Sequence, residues 1–222
     1  MGKNIRLTAS DGHEMGAYLA EPEGSPRGAI VVAMEMYGVS GYLRQVCDNY
    51  AEDGYVAIAP QFFDRFEADV NFPYDNSAYD LAKKYSADAV PHIVADAEAA
   101  RDYVKSAGKV AVSGYCFGGT VTWLCAARSN FDAAIAYYGS DMCDYPDEPA
   151  RCPTICHVGD RDTAVPPEDV AMFQAKRPEV HWHIYPGVLH GFDNWTRDAR
   201  HDAAASKLAR ERTMAFLAEH VG

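Results

Sequence analysis

Gly114-Tyr115-Cys116-Phe117-Gly118-Gly119 lies between two stretches of different periodicity, and the switch between them decides the fold. Upstream, Lys109-Val110-Ala111-Val112-Ser113 is a short β-branched run suited to a buried strand. Downstream, Thr120-Val121-Thr122-Trp123-Leu124-Cys125-Ala126-Ala127 reads as a helix. A strand that turns sharply into a helix strains the backbone at its apex and needs neighbours without bulk, which Gly114, Gly118 and Gly119 supply. The apex residue is Cys116, whose side chain then projects freely as a candidate nucleophile.

Upstream of this elbow, residues 4–9 and 13–20 predict an antiparallel hairpin around Ser10-Asp11-Gly12. The apolar run Gly28–Met34, a helical pattern over 40–53 and the strand Tyr55–Pro60 form a βαβ unit. The alternation continues with a helix over 88–106, a strand at 109–113, a helix at 117–128, strands at 131–137 and 153–158, a helix at 167–176 and a strand at 180–185. Residues 198–219, with Ala205, Leu208, Ala209, Phe216 and Leu217 at helical spacing, predict a terminal amphipathic helix packed on the sheet. One α/β domain over 1–222 follows: a mostly parallel twisted sheet with antiparallel N-terminal strands and helices on both faces. Residues 61–87, rich in Phe, Tyr, Asp and Asn with Pro73 in the middle, break the pattern and read as a long excursion at a strand's carboxyl end, where α/β sheets bind ligands.

Composition narrows the partners. A formal net charge of −12 over 222 residues argues against nucleic acid, which needs clustered Lys and Arg. The N-terminus lacks the apolar core of a signal peptide and no apolar run is long enough to span a bilayer, so a cytoplasmic protein without a membrane partner is expected. Its six cysteines are then expected as reduced thiols. Cys152, Cys156 and His157 invite a metal reading, but in a strand Cys156 and His157 point to opposite faces and no second Cys pair completes a site. Neither a metal nor a cofactor is expected.

A nucleophile at such an elbow needs a base and an acid, and in α/β-hydrolases the chain order is nucleophile, acid, histidine. After strand 153–158 comes Gly159-Asp160-Arg161-Asp162-Thr163-Ala164-Val165-Pro166. Asp162, past the turn, is the candidate acid, while Asp160 suits a turn-forming role. After strand 180–185 comes Pro186-Gly187-Val188-Leu189-His190-Gly191-Phe192, and His190 is the candidate base. His181 and His183 lie inside the strand, His13 and His92 precede the nucleophile, and His201 falls in the terminal helix.

These motifs, together with Met34-Glu35-Met36-Tyr37-Gly38-Val39 after the early strand, closely resemble the dienelactone hydrolase family over nearly the whole chain. The family is an α/β-hydrolase branch that uses Cys, His and Asp. The resemblance implies hydrolysis of a small ester or lactone by Cys116, His190 and Asp162 through an acyl-enzyme, with the backbone N–H groups of Met36 and Phe117 as oxyanion hole. Glu35 is an additional expected member: a carboxylate near sulfur opposes a second negative charge, and the family resemblance implies a thiol activated when substrate displaces it. Well-known members hold an anionic substrate with two arginines, where an ungapped comparison places Asp75, four before the candidate substrate residue Tyr79, and Asn194, four after His190. Arg65, Lys83, Lys84 and Arg197 are the cations that could substitute. The missing arginines keep a second reading open, a ligand-binding protein on the hydrolase fold with weak catalysis.

Overall fold

The expected strands form, and those at 29–33, 110–115, 133–137 and 154–159 are buried along their whole length. In a computed structural model, which describes residues 2–222 apart from the side chain of Asn76, the chain divides into units of residues 1–110 and 111–222.

The first unit opens with the hairpin of β1 (Lys3–Thr8) and β2 (Glu14–Ala20), paired antiparallel from Lys3 against Leu19 to Thr8 against Glu14. The βαβ unit follows as β3 (Ala29–Ala33), α1 (Gly41–Glu52) and β4 (Val56–Pro60). β3 is buried along its whole length, as expected of a strand covered on both faces. The strands run in the order β1-β2-β4-β3, with β2 antiparallel to β4 and β3 parallel to it.

The excursion is less irregular than its composition suggests. A 3-10 turn spans 62–65, and α2 (Tyr79–Ala89) occupies the second half of the expected loop. Ala82, Ser86 and Ala89 form a narrow buried stripe along α2, which the surrounding Asp, Lys and Tyr residues hid in the sequence. The single helix expected over 88–106 is therefore two: Pro91, which lacks an N–H, separates α2 from α3 (Ile93–Val104). Arg65 pins the start of the excursion, bonding Asp96 of α3 through Nε at 2.8 Å and Nη2 at 2.6 Å, and Asp11 of the β1–β2 turn through Nη1 at 2.9 Å.

In the second unit, β5 (Val110–Tyr115, starting on the last residue of the first unit), β6 (Ala133–Tyr137), β7 (Thr154–Gly159) and β8 (His181–Tyr185) pair in that order, all parallel. Their carboxyl ends consequently share one edge. α4 (Phe117–Arg128) is buried on all sides up to Ala127, and α5 (Pro167–Lys176) connects β7 to β8. The terminal helix α6 (Ala203–His220) starts at an Asp202 cap, whose side chain accepts from Ala205 N–H at 2.9 Å. Its buried stripe is Ala205, Ala209, Thr213 and Leu217, whereas the expected core residue Leu208 is 40% exposed. Thr213 is buried because it completes a polar network. Its hydroxyl meets Tyr137 Oη at 2.6 Å and His157 Nε2 at 3.1 Å, and His157 Nδ1 meets Tyr185 Oη at 2.9 Å. This network ties α6 to β6, β7 and β8 and occupies both nitrogens of the histidine considered as a metal ligand.

The alternation, the parallel strands and the elbow after β5 are those of the α/β-hydrolase fold. Among the described residues, no helix is long and apolar enough to cross a membrane.

Candidate active site

The elbow after β5 holds Cys116 at φ 57° and ψ −118°, a left-handed conformation rare for a residue with a side chain. The backbone around it is packed too tightly for any other side chain. A Cβ on Gly114 would stand 1.9 Å from the Gly118 carbonyl oxygen, and one on Gly119 would stand 2.6 Å from Gly139 Cα. The Cys116 N–H donates to the Tyr137 carbonyl at 3.0 Å, and its own carbonyl accepts from Gly119 N–H at 2.9 Å. The cysteine thus sits at the start of α4, where the helix dipole favours an anion.

Asp162 follows β7 and is 2% exposed. Its Oδ1 accepts from the N–H groups of Ala164 at 2.8 Å and Val165 at 3.0 Å, leaving Oδ2 to His190 Nδ1 at 2.8 Å. Asp160 does something different: its Oδ1 accepts from Gly187 N–H at 2.6 Å, joining the loop after β7 to the loop after β8. Asp160 N–H also donates to the carbonyl of Tyr185 at the end of β8 at 3.1 Å, and Arg161 N–H to Val188 O at 3.0 Å adds a second link between the loops. A Cβ on Gly159 would stand 2.1 Å from Val188 O, so the loops touch backbone to backbone.

His190 is brought together with both Asp162 and Cys116. Burial opposes its protonation, but a negative charge on the Cys116 sulfur and hydrogen bonds to Asp162 and Cys116 outweigh it, so beside an ionised sulfur its pKa rises from 6.5 to about 10. An ionised sulfur and a protonated imidazole therefore favour each other, so the proton that leaves Cys116 has a receptive site on His190. Tyr138, at the carboxyl end of β6, has a left-handed φ of 40° and sets its ring edge-on to His190 at 5.1 Å. Nothing in the sequence singled it out; the only trace was an aromatic residue just beyond a strand and just before Gly139. Phe192, fully buried two residues past His190, packs on Tyr138 at 5.4 Å and Tyr185 at 5.2 Å and anchors the histidine loop.

Glu35, Met36 and Tyr79 lie in the first unit. Glu35 follows β3, is 1% exposed and accepts from Tyr74 Oη at 2.6 Å. Met36 is half-buried in the same loop, and Tyr79, at the first position of α2, is 43% exposed. The positions compared with the family's arginines are turned to local structure. Asp75 accepts from Ser77 N–H at 2.8 Å, and Asn194, fully buried, accepts from Thr196 N–H at 3.0 Å and Oγ1 at 2.6 Å. Of the substitute cations, Arg65 is committed to Asp96 and Asp11, and Lys84 pairs with Asp88 one helical turn on. Arg197 runs past the residue next to His190, its Nη1 4.0 Å from where a Cβ on Gly191 would stand. All six cysteines are free thiols, and among the described residues no cluster of three His, Cys, Asp or Glu side chains could hold a metal ion.

Known proteins share this architecture throughout. A carboxymethylenebutenolidase of Pseudomonas putida is 31% identical, aligning 97% of this chain with 96% of the relative. Another, from Cupriavidus pinatubonensis, is 30% identical over 98% of this chain and 97% of its own. The crystal structure of a putative dienelactone hydrolase from Klebsiella pneumoniae superposes with a TM-score of 0.83 at 26% identity, covering 98% of this chain and all of the other. The model of the dienelactone hydrolase family matches residues 15–221, a span that takes in the elbow, the loops bearing Asp162 and His190 and the Glu35 loop. With the motif order, the fold and the full-length match in agreement, the chain belongs to the dienelactone hydrolase family.

Proposed function

We propose that this enzyme hydrolyses small ester or lactone substrates with Cys116 as nucleophile, His190 as general base and acid, and Asp162 as the group that orients the imidazole. In the first half-reaction, Cys116 Sγ bonds to the substrate carbonyl carbon while its proton passes to His190 Nε2. Collapse of the tetrahedral intermediate breaks the carbon–oxygen bond, and His190 returns the proton to the leaving alkoxide. Water then attacks the thioester, His190 takes a proton from it, and the released sulfur regains that proton as the acid departs. The N–H groups of Phe117 and Met36 are assigned to the oxyanion on both occasions. Glu35 is assigned to oppose ionisation of Cys116 until substrate arrives.

The observation that carries this reading is the 2.8 Å contact of His190 Nδ1 with an Asp162 whose other oxygen is fixed by two backbone N–H groups. It leaves Nε2 as the nitrogen that serves the sulfur. The substrate class stops at a small ester or lactone because neither Asp75 nor Asn194 offers a cation for a substrate carboxylate. Tyr79, exposed at the start of α2, is assigned to the substrate side. The cytoplasm is the assigned compartment, where six thiols stay reduced. Cys116→Ala should abolish turnover of p-nitrophenyl acetate while melting like the wild type; undiminished turnover in the purified variant would refute the reading.

A further inference from the structure

Glu35 is held by a residue of the excursion. The Tyr74 hydroxyl donates to Glu35 Oε2 at 2.6 Å, a length typical of an O–H bond to a charged carboxylate. Ser40 Oγ lies 3.0 Å from Tyr74 Oη. A phenol has one proton; with that proton committed to Glu35, Ser40 is the donor in the second contact. Two hydroxyls in series therefore point toward a carboxylate that is 1% exposed. The segment bearing Tyr74 is itself fastened to the Glu35 loop. Phe72 N–H donates to Tyr37 O at 2.9 Å, and the rings of Tyr37 and Tyr74 sit 4.6 Å apart. Gly38, at φ 89°, admits Val70 O so closely that a Cβ would stand 2.5 Å from it.

We propose that Tyr74 is a positioning residue that latches Glu35, its hydroxyl holding the carboxylate ionised and in one rotamer, so that residues 70–74 control the group that opposes Cys116 ionisation. This role rests on the reading of Glu35 given under Proposed function. A hydrogen bond donated to a carboxylate favours its charged form, so without the Tyr74 hydroxyl Glu35 takes up a proton at higher pH and ceases to oppose the thiolate there. A substrate that displaces Tyr74 would release Glu35 in the same way, which gives the excursion a part in activation.

The test is the pH profile of Cys116 alkylation by iodoacetamide in the full-length protein, with Cys116→Ala as background. The wild type should show a limb that vanishes in Glu35→Gln. Tyr74→Phe, which keeps the ring against Tyr37, should move that limb upward by about one pH unit, and it should change nothing further when Glu35 is already Gln. Ser40→Thr retains a hydroxyl and should leave the profile in place, whereas Ser40→Ala should move it in the same direction as Tyr74→Phe. A limb that ignores Tyr74→Phe, or moves equally with Gln at 35, overturns the latch alone. A wild-type profile with no Glu35-dependent limb removes the Glu35 assignment and the latch with it, while leaving the Cys116 reading to its own test. If Tyr74→Phe does not fold, an unmoved limb in Ser40→Ala overturns the latch.

Discussion

Replacing Asp162 by Asn separates the charge of the carboxylate from its shape. The N–H groups of Ala164 and Val165 converge on Oδ1 at 2.8 and 3.0 Å, inside a residue only 2% exposed. Leaving those donors unsatisfied costs about 1–3 kcal/mol each, so the asparagine carbonyl takes the Oδ1 position and its amino group faces His190 Nδ1. An amino group donates; Nδ1 must then accept, and the ring proton moves to Nε2. That tautomer presents a donor where the sulfur proton needs an acceptor. The expected loss is roughly ten-thousandfold in kcat, about 5.5 kcal/mol of transition-state stabilisation. The variant should melt close to the wild type, because both backbone donors keep their partner. Steady-state hydrolysis of p-nitrophenyl acetate measures the loss, and nitrogen NMR of His190 identifies the tautomer. A kcat within about tenfold of the wild type, or a variant ring still protonated on Nδ1, would show that Asp162 does not orient the base.

Two further outcomes concern stability. Gly114→Ala places a Cβ 1.9 Å from Gly118 O, a backbone atom that cannot step aside, so urea unfolding should report a loss of about 3 kcal/mol or more; wild-type stability would mean that the elbow is looser than described. Burial, followed by the nearby His183, Arg212 and His181, pushes His157 well below its ordinary 6.5, and burial with Arg212 and His181 pushes His183 down to about 4. Both are neutral in the fold but take protons in the unfolded chain below about pH 6.5, so their contribution is complete above that pH and is lost as pH falls toward about 4. Urea midpoints should drop between pH 7 and pH 5 and drop less in His183→Gln; a slope identical in the two proteins would exclude His183 as a source.

The strands and the elbow were legible because their signals are local. Glycines at 114, 118 and 119 between a β-branched run and a helical one fit little besides a tight, crowded turn, and the loops bearing Asp162 and His190 begin where apolar runs end. The α2 helix was not legible, because its buried stripe of Ala82, Ser86 and Ala89 is only three small residues wide. α6 departs from its sequence pattern at Leu208 for the converse reason: hydrophobicity nominated a leucine, while the buried position belongs to Thr213, whose hydroxyl is needed by Tyr137 and His157. Such a choice depends on partners 76 and 56 residues away, which no periodicity reveals. Tyr74 and Tyr138 escaped on similar grounds, since a tyrosine's role is set by what its ring and hydroxyl meet in space.

The three links from the loop after β7 to the end of β8 and the loop beyond it carry a consequence for how this chemistry can change. Asp160–Gly187, Asp160–Tyr185 and Arg161–Val188 continue the β7–β8 pairing past the ends of the strands, like rungs added to a ladder. Asp162 and His190 are therefore mounted on one stiff bracket, aligned with each other by contacts that involve neither the sulfur nor the elbow. Whatever atom the elbow presents meets an Asp162–His190 pair already assembled, and exchanging that atom leaves the pair's own alignment intact.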